Sequence, residues 1–148
     1  MMTDYGIYCP SIIEDITPAF RKYCNYKRFL DVGSGNGSVL ELAFRHGSLV
    51  RGVEIEKEFA ENSRFKEHII NKDFEDIDFR IYNIIYYFMK GTTKEKELIK
   101  KINNEANGLV MFNTLGSSNK DIAKFTAKLK GSLIDKLGTI LVYSFTIS

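Results

Sequence analysis

Arg28-Phe29-Leu30-Asp31-Val32-Gly33-Ser34-Gly35-Asn36-Gly37-Ser38 carries an apolar strand through an acid into glycines at every second position, and a helical pattern follows. Glycines in such a turn let the backbone bend tightly and bring its N–H groups against a ligand at the helix N-terminus. Dinucleotide-binding loops space their glycines G-x-G-x-x-G and place an apolar residue where Asp31 stands. Here the third glycine comes one residue early and Ser38 holds the sixth position. A carboxylate beside the loop repels a pyrophosphate, but suits a ligand that carries an ammonium group and a positively charged sulfur.

Outward from this segment the apolar pattern alternates helix and strand, with no linker, repeat or low-complexity tract. Ile12, Ile13, Ile16 and Phe20 predict a helix over 11–23, with Pro18 placed to break or kink it. Strands are expected at 29–32, 49–55, 68–71, 81–88, 109–114 and 139–147. Helices are expected between them, from Val39 to near Gly47 and over 57–67, 94–105 and 121–133. Strands and helices in this order imply an α/β fold: a doubly wound, mostly parallel sheet covered by helices on both faces. Six strands are clear. Either a short seventh lies near Ser132 to Asp135, or the sheet lacks one C-terminal strand and leaves an edge to be protected or paired.

The chain of 148 residues is 44% hydrophobic and 27% charged, the balance of an ordinary globular protein with one core. It reads as a single domain over 1–148, with an N-terminal helical segment (1–25), a cofactor-binding core (26–115) and a C-terminal helix and edge strand (116–148). No apolar run is long enough to span a membrane and no signal pattern opens the chain, so the expected location is cytoplasmic. Cys9 and Cys24 are too few for a disulfide framework and read as packing residues; with His46 and His68 scattered, no metal site is expected.

Charge is unevenly spread. Residues 54–78 hold nine acids against four bases, and residues 90–136 hold ten lysines against five acids. Within the second stretch, Lys120, Lys124 and Lys128 form a ridge at helical spacing opposite Ile122, Phe125 and Leu129. Such a ridge either follows a phosphate backbone or is the solvated face of an amphipathic helix.

The acid-flanked glycine loop points to S-adenosylmethionine (SAM) rather than NAD, and the segment resembles the first motif of the class I SAM-dependent methyltransferases. The resemblance implies a Rossmann-like methyltransferase fold and a cofactor site at Asp31, Gly33, Ser34, Gly35, Asn36 and Gly37. Glu54, 23 positions beyond Asp31 at the tip of the second strand, is placed to accept hydrogen bonds from both ribose hydroxyls. Val53 and Ile55 are expected to fill that strand, Ile55 also standing among the cofactor-binding residues, and Glu56 to open the next helix. The resemblance further implies that Asp73 accepts from the adenine amino group and that Phe74 packs on the ring; Asp73 reads equally as a turn residue.

The end of the fourth strand faces the methyl group in this family, which makes Tyr86 and Tyr87 the candidate substrate-side residues, or else core aromatics. The Asn or Asp followed by two prolines used to hold a base amine is missing there. Tyr8-Cys9-Pro10-Ser11 and the aromatic strand end resemble the small seven-strand protein lysine methyltransferases. Asn36 and Ser38 depart from the Asp and Arg common in those enzymes. The expected acceptor is therefore protein lysine, with RNA or a small molecule as alternatives. A different class of reading is a SAM-binding subunit that acts through a partner, or a homodimer, joined at the C-terminal edge strand.

Overall fold

The computed structural model describes residues 10–146. Its strands are β1 (Arg28–Val32), β2 (Leu49–Val53), β3 (Ile69–Ile70), β4 (Ile84–Phe88), β5 (Gly108–Asn113), β6 (Ser132–Leu137) and β7 (Ile140–Phe145). Its helices are α1 (Pro10–Tyr23), α2 (Ser38–Arg45), α3 (Lys57–Asn62), α4 (Glu95–Glu105) and α5 (Asn119–Thr126). The strands make one seven-stranded sheet in the order β3-β2-β1-β4-β5-β7-β6. The first five are parallel to one another, while β7 runs antiparallel between β5 and β6.

Alternation along each strand divides the core by face. Phe29, Ile84, Tyr86, Met111 and Val142 pack with Ile16 and Phe20 of α1 and Leu40 and Ala43 of α2. Leu30, Val32, Ile85, Tyr87, Val110 and Phe112 pack on the other face with Leu98 and Ile102 of α4 and Phe125 of α5. Helices thus cover both sides, as the alternating pattern requires. Cys24 is a buried free thiol of the first cluster, its pKa pushed up to about 11 by burial; Cys9 lies outside the described residues.

Several sequence expectations are corrected. Of the two alternatives for the C-terminal part, the seventh strand near Ser132 to Asp135 is the one found, as β6, and the helix expected to run to Leu133 ends earlier. α5 stops at Thr126, whose hydroxyl bonds back to the Ile122 carbonyl at 2.9 Å, and the turn beyond it is held to α4 by Asn103. Gly138, with φ of 61°, then closes a two-residue turn that pairs Leu137 with Ile140. Lys128 therefore lies past the helix, and the three-lysine ridge does not exist as one helical face. The last strand is no edge either: β7 is paired on both sides, and the sheet edges are β3 and β6.

Three shorter revisions concern local hydrogen bonding. Ser63 leaves the helical conformation and its hydroxyl accepts the Phe65 N–H at 3.1 Å, so α3 ends at Asn62 and β3 keeps two residues. Asp78 accepts the Arg80 N–H at 2.9 Å and caps a 3-10 turn over Phe79–Ile81, which delays β4 to Ile84. α1 runs unbroken through Pro18. Among the described residues no helix is long and apolar enough to cross a membrane.

Candidate functional site

The strand order reverses where β1 lies between β2 and β4, and ligands of such sheets bind beyond the strand ends at that reversal. β1 ends there in the glycine loop. Gly33, Gly35 and Gly37 take φ values of 78°, 52° and 85°, a left-handed backbone that side chains with a Cβ rarely adopt. The loop is drawn down onto β2: the N–H groups of Gly33 and Ser34 donate to the Val53 carbonyl at 2.8 and 3.2 Å. Gly52 permits this approach, since a Cβ there would lie 2.6 Å from both Ser34 Cβ and Oγ. Asn36 ends the loop by accepting from the Ser38 N–H at 3.0 Å and from its hydroxyl at 2.6 Å.

Two carboxyl groups flank this loop. Glu54 is 5% exposed; its Oε1 accepts the Gly35 N–H at 2.8 Å and its Oε2 accepts the Glu56 N–H at 3.0 Å. Each oxygen keeps a second lone pair for a ligand hydroxyl. Asp31 is 2% exposed, and among the described residues nothing hydrogen-bonds its carboxyl group. Burial, reinforced by the negative charge of Glu54, pushes its pKa up to about 8. The Ser34 hydroxyl is likewise buried with no hydrogen-bond partner among the described residues. The loop thus holds a buried acid and a buried hydroxyl, neither with a hydrogen-bond partner among the described residues, beside a left-handed glycine turn.

The remaining predicted residues fall into two groups. Glu56 stands at the N-terminus of α3 as expected, without a side-chain capping bond, but Ile55 does not fill the strand: it is 62% exposed beside Glu54. The Asn71 amide donates to the carbonyls of Glu54 and Ile55 at 2.8 and 3.1 Å, and so fixes that turn. Asp73 stands in the loop after β3, with both oxygens engaged. Oδ1 accepts the Glu75 N–H at 3.0 Å, and Oδ2 meets Lys94 Nζ at 2.6 Å. Burial opposes ionisation of Asp73, yet the Glu75 N–H and Lys94 outweigh it and hold the carboxyl below its usual range. Lys94 also pairs with Glu75 at 2.6 Å, and its own pKa is raised by these two acids. Phe74 is buried in the core rather than open at the mouth.

Tyr86 and Tyr87 are 2% and 1% exposed and point to opposite faces. The Tyr86 hydroxyl accepts from the Asn113 amide at 2.9 Å, and the Tyr87 hydroxyl donates to Glu95 Oε2 at 3.1 Å. Burial raises the pKa of both phenols. They are core residues of the strand end, not an open substrate wall. Asn71 and Lys94 touch the predicted residues, and sequence reasoning gave neither a role; Asn71 alone had a signal, standing two positions before Asp73 at the end of a strand. Among the described residues no cluster of three or more His, Cys, Asp or Glu could hold a metal ion.

An acid-flanked glycine loop at the reversal of a seven-stranded sheet with an antiparallel β7 defines the Rossmann-like fold of the class I SAM-dependent methyltransferases. Solved structures of that class share it at low sequence identity. The ribosomal protein L11 methylase of Lactobacillus delbrueckii subsp. bulgaricus superposes with a TM-score of 0.70 at 16% identity, over 95% of this chain and 81% of that one. The magnesium protoporphyrin IX methyltransferase of Synechocystis PCC 6803, solved with bound SAM, gives 0.67 at 12%, over 95% and 86%. An RNA methyltransferase of Salinibacter ruber, in complex with S-adenosylhomocysteine, gives 0.60 at 14%, over 97% of each chain. No protein-family model and no curated protein matches the sequence.

Proposed function

We propose that this protein binds SAM and transfers its methyl group to an acceptor. The observation that carries the reading is the buried Asp31, with no hydrogen-bond partner among the described residues, beside a glycine loop that Glu54 holds by its Gly35 N–H. In this reading the Asp31 carboxylate faces the ligand's positive charge and Glu54 takes the ribose hydroxyls. The Ser34 hydroxyl supplies a buried polar contact, and the exposed Ile55 offers an apolar surface to the adenine ring. SAM supplies a methyl carbon already activated by a sulfonium. The protein's task is then to align the acceptor and exclude water, and alignment of reactants is worth up to about 7–11 kcal/mol. A general base is required only for an acceptor that arrives protonated.

Supporting similarity comes from the neighbouring folds, whose acceptors differ widely: a porphyrin, a ribosomal protein and an RNA. The leaning to protein lysine rests on residues 8–11, of which Tyr8 and Cys9 lie outside the described residues, and on strand-end tyrosines that are core. No described residue adds to it. Calorimetric titration with SAM and its demethylated product tests the cofactor reading, with NAD as control and Asp31→Ala as the variant. Micromolar SAM binding that Asp31→Ala abolishes is the expected result. A folded chain that binds neither SAM nor its product would leave only the partner-subunit reading.

A further inference from the structure

The lysines of the C-terminal half divide into two populations. Those toward the cofactor mouth and the inner side of α4 are paired: Lys90 with Asp121 at 2.7 Å, Lys94 with Asp73 and Glu75, and Lys101 with Glu105 at 3.0 Å. The other seven make no ion pair with a carboxylate among the described residues, and four of these, Lys96, Lys100, Lys128 and Lys130, line one groove of about 310 Å3, whereas Lys120, Lys124 and Lys136 stand outside it. Lys96 and Lys100 stand one turn apart on α4, about 6 Å along its axis. Lys128 and Lys130 form the facing wall, in the turn between α5 and β6.

The groove is built. Asn103 of α4 donates its amide to the Lys128 carbonyl at 2.9 Å and accepts the Lys130 N–H at 2.9 Å. One side chain thereby ties the second wall to the first, and the buried Ile99 lies beneath. Four like charges held around one groove repel one another, and the field they focus there attracts an anion.

We propose that this groove docks the phosphodiester backbone of RNA. Two facing rows of point charges match a linear polyanion with regularly spaced charges. A bilayer surface would call for exposed apolar side chains to insert, whereas the only apolar lining residue, Ile99, is buried. A basic protein tail is repelled. The docking stands on these lysines alone and is independent of the cofactor reading.

Fluorescence anisotropy with a labelled oligouridylate of roughly 12 nucleotides tests it, over a salt series from about 50 to 200 mM. Expected is binding at low salt with a log–log salt slope of about −2.8, from about 0.7 per neutralised phosphate on a single strand. Lys128→Ala with Lys130→Ala lowers that slope by about 1.4, whereas Lys120→Ala with Lys124→Ala leaves it unchanged. Lys128→Arg with Lys130→Arg keeps the binding and shows that loss in the alanine pair is a matter of charge. Circular dichroism of each variant establishes that it is folded. A folded wild-type chain that ignores the oligomer at about 50 mM salt overturns the proposal. So does a Lys120/Lys124 alanine pair that loses as much slope as the groove pair. SAM titration of the same samples is scored separately, so failure of one reading is not mistaken for failure of the other.

Discussion

Glu54 Oε1 accepts the Gly35 N–H at 2.8 Å, so the acid at the end of β2 clamps the turn at the end of β1. One side chain thus serves the loop's shape and presents its remaining lone pairs to a ligand.

Replacing Glu54 separates these two duties. Glu54→Ala leaves the N–H groups of Gly35 and Glu56 without their acceptor; Glu56 is exposed to water, but the buried Gly35 donor left unsatisfied costs about 1–3 kcal/mol. Urea denaturation is expected to show that loss, with SAM binding abolished. Glu54→Gln retains one carbonyl acceptor and is expected to recover part of the stability but little of the affinity.

Asp31 gives the fold a pH dependence of definite sign. Its folded-state pKa, about 8, lies above the ordinary value of 3.8, so the folded state holds the proton longer than the unfolded chain does. Stability from this group is complete at acidic pH and falls as pH rises through the interval up to about 8. Asp31→Asn is expected to flatten that slope in denaturant midpoints measured across the interval. A cationic ligand favours the carboxylate, so SAM binding is expected to release a proton, visible as a buffer-dependent heat in calorimetry.

Lys94 competes for Asp73. If the adenine amino group uses Oδ2 of Asp73, it must share or displace the ammonium group found there at 2.6 Å. Lys94→Ala is then expected to tighten SAM binding a few-fold and barely move the melting temperature, since exposed ion pairs add little. Unchanged affinity in the variant would remove Asp73 from the cofactor site.

Tyr86 offers the opposite pattern. Tyr86→Phe removes the acceptor of the buried Asn113 amide and is expected to cost about 1–2 kcal/mol of stability. SAM affinity should be unchanged. A large loss of affinity at full stability would return the phenol to the ligand site.

Most of the sheet was legible because β1, β2, β4 and β5 are apolar runs bounded by turn residues, and the acid-flanked glycine loop is dense local information. β6 was legible only as one of two alternatives near Ser132 to Asp135: Ser132, Leu133 and Ile134 are all exposed, so no alternation marks the strand, and Asn103, far away in sequence, holds the turn before it. Asp31, the glycines and Glu54 could be placed together from type and spacing, and the structure brings them to one loop. The engagement of Asp73 by Lys94, 21 positions on, and the burial of both strand-end tyrosines depend on packing between elements, which spacing does not encode.

The placement of β7 between β5 and β6 has a consequence for synthesis. Residues 28–113 can assemble the five parallel strands as soon as they emerge, but β5 then shows a bare hydrogen-bonding edge carrying Val110, Met111 and Phe112. Only residues 140–145 cover it. Until they leave the ribosome the nascent domain carries an adhesive strand, the kind of surface that recruits chaperones or aggregates. Capture of β5 by β7 is thus the step that removes this exposed edge, and β6, laid down between them, has to wait for it to join the sheet.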